Sequence, residues 1–258
     1  MKFTKTIVSI TFSAVLLIAC NSNNSTNASM ADATNNSSAS QNSGDDYYYE
    51  LTTKSSGKNI SINEVTKMYV SSKGDMRSEM EIHSSANGNK ISAPTIIIAH
   101  ADKPGESFDI DDSAKTYTIN HIDSGDSNTG EKITSTATKI GDEKIMGFNC
   151  VHARVISKKT MGSFYSSVDT IDLWKSNDVP QQPAVKKLMT KAESGISNSM
   201  YSTETTQQLK QMRCDGMTVK MTIGSKDHSM ILQLTKVERR DIPANMFAIP
   251  AGYKEVKE

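Results

Sequence analysis

The stretch Ile242-Pro243-Ala244-Asn245-Met246-Phe247-Ala248-Ile249-Pro250-Ala251-Gly252-Tyr253 decides how this chain is read, because it says how its sheet ends. Pro243 has a fixed φ and no N–H, so it suits the start of a single helical turn. Phe247 falls at the end of that turn, where its ring can plug a sheet edge. Gly252 permits a turn before Tyr253. Just upstream, residues 230–237 make a long strand, reached through the turn Gly224-Ser225-Lys226-Asp227. Before that turn Met217, Val219, Met221 and Ile223 alternate strictly, the period of a half-buried strand. The chain therefore closes on a hairpin.

Farther upstream the period changes. Val185, Leu188, Met189 and Ala192 fall at i, i+3, i+4 and i+7, an amphipathic helix with Pro183 near its first turn and Gly195 past its end. A second helix is expected over about residues 202–212, with Thr205, Leu209 and Met212 on one stripe.

From residue 45 to about 180 the chain reads as strands. Expected strands cover 47–54, a less regular run through Ile60, Ile62, Val65, Met68 and Val70, then Met76, Met80 and Ile82. The continuous apolar run at 95–99 suits a strand covered on both sides. Further strands are expected at 107–110, 115–119, 131–140, 148–157 and 164–174. Ser72-Lys73-Gly74-Asp75, Asn87-Gly88-Asn89, Lys103-Pro104-Gly105 and Asp111-Asp112-Ser113 supply turns, and Gly141-Asp142 is expected to separate 131–140 from 148–157. Short turns between so many strands argue for an antiparallel meander rather than βαβ units.

The front of the chain is a different material. Lys2 and Lys5 precede an apolar run to Ala19, too short to span a bilayer but suited to a signal-peptide core. Leu17-Ile18-Ala19-Cys20 is a lipobox, and the pattern is similar to that of bacterial lipoproteins. That resemblance implies cleavage before Cys20, a diacylglycerol thioether on Cys20 and an acylated new N-terminus, which together make a stable membrane anchor. Residues 21–44 are almost all Asn, Ser, Thr and Ala, a composition that cannot offset its ordering entropy and reads as a disordered tether. The expected organisation is a leader at 1–19, lipidated Cys20 and tether at 20–44, and one folded domain at 45–258.

Lys2 and Lys5 leave with the leader, so the 29 basic residues of the chain become 27 in its mature form, against 29 acidic ones. Such balance suggests no nucleic-acid partner. The 14 Met are an unusual share and suit a core or an adaptable apolar cavity. Beyond Cys20 there remain Cys150 and Cys214, an even pair in a compartment where disulfides persist. They read either as a disulfide or as two separate buried thiols; neither has the C-x-x-C or His spacing of a metal site.

The terminal stretch resembles the P-x-x-x-F-x-I-P-x-G-Y signature of a family of bacterial envelope lipoproteins whose function is unassigned. The run Ile145-Met146-Gly147-Phe148-Asn149-Cys150, followed by Val151, Ala153 and Val155, resembles that family's central hairpin, and Asp111/Asp112 to Tyr117-Thr118-Ile119 is a weaker echo. The family is similar to the LolA/LolB lipoprotein-carrier fold. The resemblance implies a mainly β, α+β domain: a half-open antiparallel barrel of about ten or eleven strands, with a helical lid inserted before the last strands. Lipid-anchored members of the wider fold receive or hold acyl chains in the cavity.

Chemistry-bearing constellations are scarce. His83, His100, His121, His152 and His228 are scattered singly, without H-x-H or H-E-x-x-H spacing. Asp109, Asp111, Asp112 and Ser113 begin like a calcium loop, but Ala114 and Asn120 stand where its Gly and Glu belong, so a polar turn is expected. Asp123, Asp126, Asn128 and Glu131 could gather round a cation. No nucleophile elbow, P-loop or dinucleotide fingerprint occurs. Trp174 reads as packing, and Lys158-Lys159, Lys186-Lys187 and Arg239-Arg240 as solvated faces. No catalytic residue, metal or cofactor is expected. The expectation is a non-enzymatic, membrane-anchored lipoprotein, on the outer membrane facing the periplasm. It would hold a lipid or acyl chain in a cavity lined partly by Val185, Leu188, Met189 and Met212. The alternative is a structural lipoprotein docking an envelope partner.

Overall fold

The computed structural model describes residues 45–86, 89–103, 105–121, 131–161, 165–181 and 200–257. The leader, Cys20 and the tether lie outside these residues, as do Val185, Leu188 and Met189. Within them the alternating stretches become strands β1 (Tyr47–Gly57), β2 (Ile60–Val70), β3 (Met76–Ala86), β4 (Asn89–Ala99), β5 (Glu106–Asp111) and β6 (Thr116–His121). Then come β7 (Glu131–Ile145), β8 (Phe148–Met161), β9 (Tyr165–Ser176), helix α1 (Thr203–Gln211), β10 (Met217–Gly224), β11 (His228–Arg239), a 3-10 turn (Ala244–Phe247) and β12 (Lys254–Glu255). All strands join one sheet in the order β12-β6-β5-β4-β3-β2-β1-β11-β10-β9-β8-β7. Every pairing is antiparallel except the two-residue contact of β12 with β6. The order has two ends, so the sheet is open, the half-barrel expected from the sequence.

The meander is interrupted twice, at β1–β11 in the middle and where β12 joins β6 at one edge. β1 is flanked by β2 on one side and by β11 on the other, and β10 and β11 slot between β1 and β9. Helix α1 precedes that closing hairpin, where a helical lid was expected. Ser202 caps it by accepting from the Thr205 N–H, and Thr205 and Leu209 are its buried residues.

One turn lies elsewhere than expected. β7 runs through Gly141-Asp142 and ends at Ile145, opposite Phe148 across a two-residue turn. Met146 and Gly147 have φ of 53° and 87°, the doubly positive pair that a type I′ hairpin requires. Gly141 instead follows a bulge, where Lys139 pairs with Ala153 and Gly141 with His152, leaving Ile140 extra.

Three apolar clusters hold the sheet. One gathers Tyr49, Met68, Val70, Met76, Leu234, Val219, Trp174 and Cys150. A second packs Ala153, Val155, Ile171 and Leu173 of β8 and β9 against Tyr201, Leu209 and Cys214 around α1. In the third, Ile98, Phe108 and Ile110 are covered by Ile249 and Tyr253 of the terminal stretch. Ile98 is buried in that third cluster while Ala99 belongs to the first, so the 95–99 run is covered on both faces. The terminal stretch works as its chemistry suggests. The Met246 N–H closes the turn onto the Pro243 carbonyl at 2.9 Å, Phe247 is buried, and Gly252 has a φ of 87°. Tyr253 donates its hydroxyl to Asp112. The terminal signature and the weaker echo at Asp111/Asp112 are thus two sides of one contact.

Candidate functional site

Strand register builds the candidate site on the face of the sheet that carries Tyr49 and Met68. Cross-strand pairing aligns Ala153, Leu173, Met221, Leu232, Thr53, Glu64 and Ile82 in one row from β8 to β3. A second row runs Val155, Ile171, Ile223, Met230, Ser55 and Ile62. At the β8–β9 end, both rows are covered by α1 and its flanks. From β10 to β3, Met221, Ile223, Met230, Leu232, Ile62 and Ile82 are half-buried among the described residues, with Met221 and Ile223 packed against the α1 cluster and Thr53 and Glu64 buried between them. Among the described residues, one end of this face is a finished core and the other a half-buried, mainly apolar shelf.

Helix α1 is fixed over the far edge strand by polar contacts. Ser135 of β7 accepts from the Ser202 N–H at 2.8 Å and meets the Thr205 hydroxyl at 2.8 Å. Gln208 Oε1 accepts the Ala137 N–H at 3.0 Å. Ser157, fully buried, donates to the Met200 carbonyl. The chain leaving β9 also turns onto this face, since Val179 joins the first cluster and the Tyr49 hydroxyl donates to the Pro180 carbonyl at 2.7 Å. Segments 177–181 and 200–201 therefore both abut the face that carries the shelf.

Glu64 is the one carboxylate in these rows and is 3% exposed. The Thr66 hydroxyl donates to its Oε1 at 2.8 Å. Burial pushes its carboxyl above the usual range, and the Thr66 hydrogen bond offsets part of that rise. Sequence inspection missed it because a lone Glu between apolar residues of a strand looks like any solvent-facing alternation.

Of the sequence-derived lining residues, Met212 lies in the described part. It is half-buried and packs against the α1 cluster. Cys150 and Cys214 are both buried and are not joined. Cys150 packs with Trp174 in the first cluster and Cys214 with Ala153 and Val155 in the second. Burial raises the Cys150 thiol above its ordinary value.

The opposite face holds the other polar groups. A shallow groove of about 330 Å³ is lined there by Val65, Lys67, Glu79, Glu81, Pro94 and Ile96 among others. It is small for a ligand pocket and partly charged. Nearby, Arg240 stacks at 3.9 Å over the Tyr48 ring, so this Arg packs on an aromatic instead of forming a merely solvated face. Trp174 lies between the His152 ring, stacked at 4.1 Å, and the Lys220 ammonium at 4.6 Å, and its indole donates to Glu143. His152 in turn meets Asp172 at 2.9 Å, and Arg154 holds the same carboxylate bidentately. Burial raises the Asp172 carboxyl, but the Arg154 and His152 contacts outweigh it, leaving the group below its usual range. Asp111 forms the expected polar turn, accepting from the Ser113 and Ala114 N–H groups. The possible cation cluster at Asp123, Asp126 and Asn128 lies outside the described residues. His83, exposed on β3, bonds Glu81, and His228 bonds Ser225.

The family described as "Domain of unknown function (DUF4412)" matches residues 50–253. That span takes in both stretches that carried the resemblance, residues 145–155 and 242–253. No curated protein matches the chain. Among solved structures, LprF from Mycobacterium bovis aligns at 11% identity and a TM-score of 0.34, covering 81% of this chain and 90% of its own. A DUF1329 family protein from Desulfovibrio piger ATCC 29098 aligns at 10% identity and a TM-score of 0.32, covering 80% of this chain and 91% of its own.

Proposed function

The chain belongs to the DUF4412 family, and we propose that it is a lipid-anchored protein of the cell envelope that holds a hydrophobic ligand, a lipid or acyl chain, on the shelf between β10 and β3. The lipobox ending at Cys20 supports the anchor and the envelope location, with the outer membrane, facing the periplasm, as its site. The observation that carries the ligand reading is the shelf itself. Six aliphatic or Met side chains on one face are half-buried among the described residues, beside a helix that covers the β8–β9 end of that face. Two of the six are Met, a side chain that adapts to irregular apolar partners. Covering such surface is worth about 25 cal/mol per Å².

The test is native mass spectrometry of the mature chain extracted from membranes in mild detergent. Covalent acyl groups stay on Cys20 under activation, whereas a held lipid leaves as a separate mass. A lipid lost on activation is the expected result. A chain that carries its own acyl groups and nothing else sinks the reading.

The structural or docking alternative has its own support. The end of this face built from Tyr49, Met68, Val70, Met76 and Leu234 is filled by the protein's own side chains. The same spectrum, with no lipid and a co-purified polypeptide, would favour that alternative.

A further inference from the structure

Asp75, His100 and Asp102 are far apart in the sequence, but the β3–β4 ladder brings them together. Met76 pairs with Ala99, so the residues just beyond, Asp75 and His100, face each other across the strand ends. The turn before β3 is tightly bonded. The Ser71 N–H donates to the Asp75 carbonyl at 2.9 Å, and the Asp75 N–H donates to the Ser71 hydroxyl at 3.0 Å. After β4 the chain turns back at once, with the Lys103 N–H donating to the His100 carbonyl at 3.2 Å. That reversal returns Asp102 beside His100. One ligand atom from each of the three side chains lies within 4.8 Å of the others.

We propose that Asp75, His100 and Asp102 form a zinc site, with a fourth position open to solvent. Two observations carry it beyond a chance gathering of charge. First, His100 Nδ1 stands 3.5 Å from Asp75 Oδ1. A charge-assisted hydrogen bond closes to about 2.7–2.9 Å. Two donors on one tetrahedral ion, with bonds of about 2.1 Å, lie about 3.4 Å apart. The pair is set at the second distance. Second, the two inner ligands are already oriented. The Ala101 N–H donates to the Asp75 carboxylate at 3.1 Å, the kind of outer contact that fixes a ligating carboxylate. The His100 ring lies edge-on to Phe108 at 5.6 Å, which limits its rotation. Asp75 and His100 are half-buried and Asp102 is exposed, so the site has a floor and an entrance. Two carboxylates this close repel until a cation sits between them. An imidazole with two carboxylates selects Zn²⁺ over Ca²⁺ or Mg²⁺, which take oxygen ligands alone.

The experiment is equilibrium dialysis of the full mature chain against Zn²⁺, with metal per chain read by atomic absorption. Wild-type protein is expected to hold one Zn²⁺, and His100→Ala and Asp102→Asn to bind at least about tenfold more weakly. His228→Ala, on a distant hairpin, is expected to bind as the wild type does. Asp102 is exposed, so its variant keeps the fold, which circular dichroism checks. A wild-type chain without zinc, or an Asp102→Asn chain that binds as tightly as wild type, overturns the site. Equal competition by Ca²⁺ or Mg²⁺ overturns the choice of metal.

Discussion

Cys150 and Cys214 belong to different apolar clusters, one with Trp174 and the other with Ala153 and Val155. Each thiol meets a β8 carbonyl instead of the other sulfur, Cys150 that of Phe148 at 3.6 Å and Cys214 that of Val151 at 3.7 Å. The mature chain is therefore expected to show almost no thiol reactivity when folded and two reactive thiols after unfolding in guanidinium. A thiol count of zero in the unfolded, unreduced chain would contradict the arrangement.

Glu64 makes stability depend on pH in an unusual direction for a carboxylate. Its folded-state value is raised above the ordinary 4.5, so the folded chain holds this proton more tightly than the unfolded chain does. The ionisation penalty is absent below the unfolded value and grows as pH rises through the folded one. Glu64→Gln keeps an acceptor for Thr66 and removes the charge. It is expected to raise the urea midpoint at pH 7 by more than the roughly 0.5 kcal/mol scatter of surface changes, and to change little at pH 4. A gain of the same size at both pH values would mean that burial of charge is not its origin.

Gly216 joins α1 to β10 where the chain passes Ser176 closely. A Cβ there would collide with the Ser176–Asn177 peptide, which is backbone and not a flexible side-chain end. Gly216→Ala is expected to destabilise by about 1–3 kcal/mol, the usual effect of overpacking. Thermal denaturation would read it; an unchanged Tm would refute the close approach.

Met146 holds a φ of 53° at the first position of a two-residue hairpin turn and is 42% exposed. A left-handed non-glycine residue costs about 1–2 kcal/mol, and Asn tolerates that region better. Met146→Asn is expected to stabilise the chain by up to about 1 kcal/mol, seen as a higher guanidinium midpoint at constant slope. A lower midpoint would assign the Met side chain a packing role.

Strand identity was readable because alternation and turn residues agree: Met217 to Ile223 and the turn after Gly224 fall where the pattern puts them. Helix α1 was readable from Thr205 and Leu209 on one stripe. The β7–β8 turn was misassigned because Gly141-Asp142 has turn composition, while the backbone put its doubly positive φ pair at Met146-Gly147. The candidate sites were nearly invisible. Glu64 acquires its burial from strands paired in three dimensions. Asp75 and His100 meet through a register that local periodicity cannot state. The thiol question stayed open for a similar reason, since spacing along the chain does not say which cluster each Cys joins.

Strand β1, the first to form a sheet edge, ends up in the middle of the sheet because β11 pairs with it from Tyr47–Arg239 to Gly57–His228. The centre of the molecule is thus joined only when residues near the two ends of the domain meet. Until β11 is present, β1 has one bare side and the Tyr49–Leu234 contacts do not exist. Such long-range closure makes folding slow. Under the proposed envelope location, where the chain would cross a membrane before folding, slowness of this kind would keep it threadable until nearly all of it had crossed.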